Sequence, residues 1–232
     1  MTSQRTKKSS GGFSLLELII AMAITITLMT AATTLLAGAL RVRSRENQKS
    51  DALADTQRAL NILTREIADA GFNLNNNGIV AGESGLHTLR IRSNLNKYDL
   101  NASITAQNGI GLAPEDAGED LSYYTNLSDN TKYLVRHDEY GSGSTVLANR
   151  IDNISFHYFD QKVTYTCASG DIDFSNLVGT EVASPTQAKY VVIAIAVTLD
   201  QIGKPGSPGF QRSYSVLLCS DVALRNSGLW NY

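Results

Sequence analysis

Gly11-Gly12-Phe13-Ser14-Leu15-Leu16-Glu17-Leu18-Ile19-Ile20 opens an apolar run that reaches Leu40 and carries one charge, on Glu17. From Phe13 the run is 28 residues, about 42 Å as a helix, against roughly 30 Å for the hydrocarbon core of a bilayer. A charge at the centre of such a span costs roughly 2.5 to 3.5 kcal/mol on insertion scales. Glu17 therefore calls for a partner.

Upstream, residues 1–12 are short and hydrophilic, with Arg5, Lys7 and Lys8 and no acid. A secretory signal has an apolar core of about 7–15 residues followed by a small-x-small site. Ala37-Gly38-Ala39 has that form, but the run before it is too long for a signal core. Loop charge leaves orientation open, because Arg41, Arg43, Arg45 and Lys49 follow the run.

Downstream, Leu53, Leu60 and Ile67 recur every seven residues, flanked by Ala52, Ala59, Leu63 and Ala70. Asp51, Asp55, Arg58, Arg65, Glu66 and Asp69 fall mostly on the opposite side. The pattern predicts one helix from about Phe13 to Ala70, apolar all round and then amphipathic, with Gly71 as its C-cap glycine. Under three heptads of repeat favour packing on a sheet over a coiled coil.

After an Asn/Gly loop over 71–85, period-two alternation predicts strands. Leu86–Ser93 places Leu89 and Ile91 on one face with Arg90 and Arg92 on the other; Lys132–Arg136 and Ser144–Leu147 are shorter, and Ile154, Phe156 and Tyr158 share a face. Lys189–Leu199 has a bulky face (Val191, Ile193, Ile195, Val197, Leu199) and a small one (Val192, Ala194, Ala196), and the small face is expected to admit a helix. The Gly/Pro loop 203–209 joins it to Arg212–Arg225 as an antiparallel hairpin, with Cys219 on the more polar face beside Ser215 and Asp221. That leaves Cys219 accessible to Cys167, in an irregular segment; one disulfide and two free thiols both fit the count.

The whole chain has a net charge of −2, but without residues 1–12 there remain 17 basic and 22 acidic side chains, a net of −5. Nucleic-acid binding requires concentrated positive charge, so this balance argues against a nucleic-acid role, and no nucleic-acid partner is expected. His87, His137 and His157 are scattered, no nucleophile-base spacing is present, and Gly141-Ser142-Gly143-Ser144 lacks the lysine of a phosphate loop, so neither an enzyme nor a cofactor is expected. Glu115, Asp116, Glu119 and Asp120 form a weak calcium candidate, since an acidic loop is usually just solvated. Tyr98, Tyr123, Tyr124, Tyr140 and Trp230 are candidates for a ligand-binding surface, and for core or sheet filling.

Gly12-Phe13-Ser14-Leu15-Leu16-Glu17 resembles the prepilin leader motif of type IV pilins and type II secretion pseudopilins. The remainder resembles PilW-type minor pilins and, more distantly, J-type minor pseudopilins. It does so through Asn61–Ile67 with Ala70-Gly71-Phe72, Leu89–Asn96, Tyr133–Arg136, Val146–Ile151, Phe156-His157-Tyr158 and Val222–Asn226. The absence of proline before Pro114, with Thr33-Thr34 in mid-run, is similar to a minor rather than a major subunit.

The resemblance implies an α+β pilin fold, a long N-terminal helix on an antiparallel sheet. Residues 1–12 would be a leader removed by prepilin peptidase between Gly12 and Phe13, with Phe13 then N-methylated; 13–40 a membrane and filament-core helix; 41–70 its amphipathic continuation; and 71–232 the head. It also implies that Glu17 attracts the N-terminal amine of a neighbouring subunit; pairing with the amine of its own chain is the alternative. Implied partners are other minor pilins, the major pilin and the inner-membrane assembly platform, with a single-pass anchor, a periplasmic head and final display on a surface pilus. A pseudopilin of type II secretion and a tip adhesin are the competing roles.

Overall fold

Among the described residues one α-helix, α1 (Leu15–Ala68), precedes nine strands. The computed structural model describes residues 13–74, 76–95, 116–128, 131–141, 143–149, 151–168, 171–173, 180–207 and 209–227. The chain divides into two units, Met1–Glu46 with Gln201–Arg212 and Asn47–Asp200 with Ser213–Tyr232.

In the first unit the apolar side chains of α1 are solvent-exposed, from Leu15 at 75% to Leu40 at 57%. The hydroxyls of Thr25, Thr27, Thr30, Thr33 and Thr34 donate to carbonyls three or four residues back, at 2.7 to 2.9 Å. Satisfied within the helix, they do not demand water. Residues 207 and 209–212 lie against the end of the apolar run and the turns just after it. Gly209 has φ +74°, and a Cβ there would fall 3.0 Å from Gly38 Cα, so backbone meets backbone. Arg41 donates to Ser207 Oγ at 3.4 Å, and buried Arg45 donates to the Arg212 carbonyl at 2.9 Å.

In the second unit α1 buries Ala59, Leu60, Leu63 and Ile67. It ends at Ala68, two residues short of the expected Ala70: Gly71 takes φ +75°, its N–H donates to Arg92 O at 2.9 Å, and Asn226 donates to the Ala70 carbonyl at 3.0 Å. Strands β1 (Leu89–Arg92), β2 (Asp120–Ser128), β3 (Thr131–Asp138) and β4 (Gly143–Asn149) form an antiparallel meander. β5 (Asn153–Phe159), β6 (Thr166–Ala168), β7 (Asp171–Asp173), β8 (Tyr190–Leu199) and β9 (Tyr214–Ala223) give a three-stranded sheet β5-β8-β9 and a small hairpin β6-β7. This is the α+β class expected, with β8 and β9 antiparallel from Tyr190↔Ala223 to Leu199↔Tyr214.

Three expectations are corrected. The helix packs on the bulky face of β8, because the helix supplies the small residues: Ala59 and Ala70 share a core with Val191, Ile193, Ile195, Val197 and Leu199, and Ala52 packs against it. The small face, Val192 and Ala194, is covered instead by Phe159, Val163 and Ile172. Cys167, expected in irregular chain, lies in β6, and β2 occupies a stretch where no strand was expected. Glu66 also turns inward from the polar side: it accepts from Tyr123 Oη, and Arg136 Nε lies 3.0 Å from its Oε1. Burial, then the charge and hydrogen bond of Glu66, push the Tyr123 hydroxyl well above its usual pKa, so it donates at any physiological pH.

The meander has its own ionic pin. Asp120, with a fully buried carboxylate, receives Arg90 Nε at 2.7 Å and Nη2 at 2.9 Å, and Arg92 Nε at 2.8 Å. Burial opposes its charge, but the hydrogen bonds and charges of the two arginines outweigh that and hold it below the usual carboxylate pKa. A lowered folded-state value means stability present above the unfolded value near 3.9 and lost as pH falls through the folded one. Asp120→Asn should cost about 2 to 3 kcal/mol, under the roughly 3–5 kcal/mol of a fully buried pair because Arg90 keeps Glu83. In urea titrations the wild type should lose that advantage below about pH 4, narrowing the gap between the two proteins. A constant gap from pH 7 to pH 3 would refute the assignment.

Candidate functional site

The first turn of α1 is built from Ser14, whose carbonyl accepts the Leu18 N–H at 3.2 Å, and contains Glu17. An acid at a helix N-terminus is favoured by the macrodipole, by about 0.3–1 kcal/mol. That term does not explain the surroundings of Glu17, where Phe13, Leu15, Leu16 and Leu18 are 57 to 84% exposed. Phe13 and Glu17 are four residues apart, one helical turn. Gly12 lies outside the described residues. Among the described residues no ion pair reaches Glu17.

The apolar part of α1 has a window of mean hydropathy 2.1 with none of it buried within the chain. Helices that are apolar all round are covered by lipid or by protein. By length and composition α1 can cross a membrane. Exposed hydrocarbon side chains with one carboxylate at their N-terminal end make a surface that inserts and that pairs with a cation; they make no catalytic centre.

The other candidate residues do not join this site. Cys167 and Cys219 form the disulfide, with S–S 2.10 Å and Cα–Cα 6.0 Å. It clamps β6-β7 onto the outer face of β9, where Cys219 stands opposite Ala194, as the alternation on that strand implied. Beside it Tyr165 donates to Asp221 Oδ1 at 3.3 Å, and burial and then the charge of Asp221 push its hydroxyl up to about 12. Of the acidic group, Glu115 lies outside the described residues. Asp120 is held by arginines, and Glu119 accepts the amides of Leu95 at 2.7 Å and Asp116 at 3.3 Å. No group of three or more His, Cys, Asp or Glu side chains is set to hold a metal among the described residues. Tyr123 is buried against Glu66, Tyr140 is half exposed, and Tyr98 and Trp230 lie outside the described residues.

His87 Nδ1 sits 2.7 Å from the Ile154 carbonyl, His137 beside Ser144, and His157 Nδ1 3.3 Å from Glu181, three separate places. The Gly and Pro content of the segment 201–212 signals a loop but not what it packs on.

Residues 7–33 match the family model of the prokaryotic N-terminal methylation motif, a stretch that contains Gly12, Phe13 and Glu17. The match supports a type IV pilin-like protein in general and covers the start of the chain alone. No curated protein and no solved structure matches the chain.

The disulfide joins residues 52 apart, which corresponds to about 4 kcal/mol of unfolded-state entropy. Cys167→Ala/Cys219→Ala should lower the urea midpoint accordingly and make the region near residues 163–173 the first cut in limited proteolysis. Equal midpoints for the oxidised and reduced wild type would contradict this.

Proposed function

We propose that the chain is a minor pilin of the type IV pilus, acting with other minor pilins in the tip complex that primes assembly. The observation that carries the reading is the prepilin-type motif at 7–33 opening a helix whose apolar face is uncovered. Prepilin peptidase hydrolyses the Gly12–Phe13 bond, and the new amine of Phe13 is methylated and keeps its charge. Residues 13–40 hold the subunit in the inner membrane with its head in the periplasm. On assembly this helix leaves lipid for the helical core of the fibre, beside the major pilin, driven from the inner-membrane platform.

Glu17 supplies the recognition. In a low dielectric a lone carboxylate is costly, and pairing with a cation offsets the cost only where geometry is good. The amine created at Phe13 is the cation at the right depth, and the neighbouring subunit's amine relieves Glu17 while setting the stagger between helices. The Thr hydroxyls, already bonded within α1, let that face slide from lipid to protein without unsatisfied donors.

Three measurements test this. Mass spectrometry of the membrane-bound protein should give an N-terminal peptide that begins at Phe13 and carries one methyl group. Glu17→Ala should be processed and inserted normally yet fall at least tenfold in sheared fibres, the order of 1.4 kcal/mol or more of lost pairing; incorporation at wild-type level would end the intersubunit role. Deletion of the gene should abolish surface pili and twitching with exoprotein secretion intact. Loss of secretion with normal piliation would reassign the chain to a type II secretion machine, and normal piliation with lost adhesion would make it an adhesin.

A further inference from the structure

We propose that the segment 201–212, together with Arg43, forms a cationic collar that docks on anionic phospholipid headgroups at the membrane surface. The inference rests on reading residues 13–40 as the membrane span. Just past Leu40 come Arg41, Arg43 and Arg45 with one acid, Glu46. The segment 201–212 adds Lys204 and Arg212 and no acid. Five cations against one carboxylate thus gather in the first unit where the apolar run stops.

The fold places them there. The close approach of Gly209 to Gly38, the Arg41–Ser207 bond and the Arg45–Arg212 bond fasten the segment along one stretch of helix. From Gly38 to Arg45 the rise is about 10 Å. The headgroup layer on each side of a bilayer is roughly 5–8 Å deep. A helix whose hydrocarbon contacts end at Leu40 therefore carries this segment at headgroup depth. Arg41 and Arg45 hold the segment; Arg43, Lys204 and Arg212 are exposed and enter no ion pair among the described residues.

A merely solvated face would not need to be fastened. Cations on this side also oppose the usual loop-charge bias, with Arg5, Lys7 and Lys8 before the run and four cations within nine residues after it. Attraction to an anionic leaflet compensates: each Lys or Arg near such a surface changes affinity by roughly fivefold. The contact is electrostatic and shallow, so it releases when the subunit is extracted, unlike an apolar anchor.

The test is lipid selectivity of the full-length chain reconstituted in bilayers with trace spin-labelled phosphatidylglycerol or spin-labelled phosphatidylcholine, read as the motionally restricted fraction. Phosphatidylglycerol should be preferred by about fivefold, the effect of roughly one fully engaged cation. The preference should shrink at 1 M salt, where the Debye length is about 3 Å. Arg43→Gln/Lys204→Gln/Arg212→Gln should bring it within twofold of phosphatidylcholine, the leader cations being unchanged. No preference in the wild type, or an undiminished one in the triple variant, would overturn the collar. So would its loss to millimolar inorganic phosphate at constant ionic strength, which would make these cations a free-phosphate site. Flotation separates the two readings: a chain that fails to float with the bilayers refutes the span itself, whereas one that floats without lipid preference refutes only the collar.

Discussion

Among the described residues nothing of the chain buries the most apolar window of α1, and this constraint organises everything else. An apolar helix with no internal cover must be covered from outside, so the sequence can use it only in lipid or against other helices. All stability of the fold then comes from the rest of the chain. That division explains why one uninterrupted helix changes character along its length: apolar all round near Ile24, then a single buried stripe of Ala59, Leu60, Leu63 and Ile67.

The second part of the helix is held by a narrow core and by charge. Alanines on the helix let the bulky β8 residues fill the space between helix and sheet. Glu66, Tyr123 and Arg136 then fix the helix to the meander at one place, where a carboxylate without its arginine would be costly. Asp120 with Arg90 and Arg92 does the same within the meander. The disulfide adds a covalent clamp over the small face of β8, which the helix does not cover.

Much of this was legible in the residues because it obeys periodicity. The 3.6-residue stripe, the Gly71 stop, and the alternation in β1, β5, β8 and β9 follow from local pattern. What escaped depends on partners distant in sequence. Nothing local shows that Glu66 turns inward, since its reason is Arg136, in another element. β2 is not legible locally because Asp120 looks like the end of an acidic loop, and it becomes a buried strand residue only once Arg90 and Arg92 face it. The seat of residues 201–212 on Gly38 is illegible for the same reason: glycine signals permission for close approach, not the partner. At the candidate site the motif was read from local spacing, and the segment beside its far end was not.

Glu66 and Glu17 sit on the same helix and make the sharpest comparison in the molecule. Glu66 is half-buried and satisfied by a tyrosine and an arginine of its own chain. Glu17 stands among exposed leucines, and no ion pair reaches it among the described residues. In water that is harmless. Once the surrounding side chains are covered, by lipid or by other helices, water leaves and the same carboxylate requires a cation close by. Glu17 without an ion pair among the described residues, beside Glu66 with two partners, fits the proposal that one helix is both a finished part of its own fold and an unfinished part of a larger one.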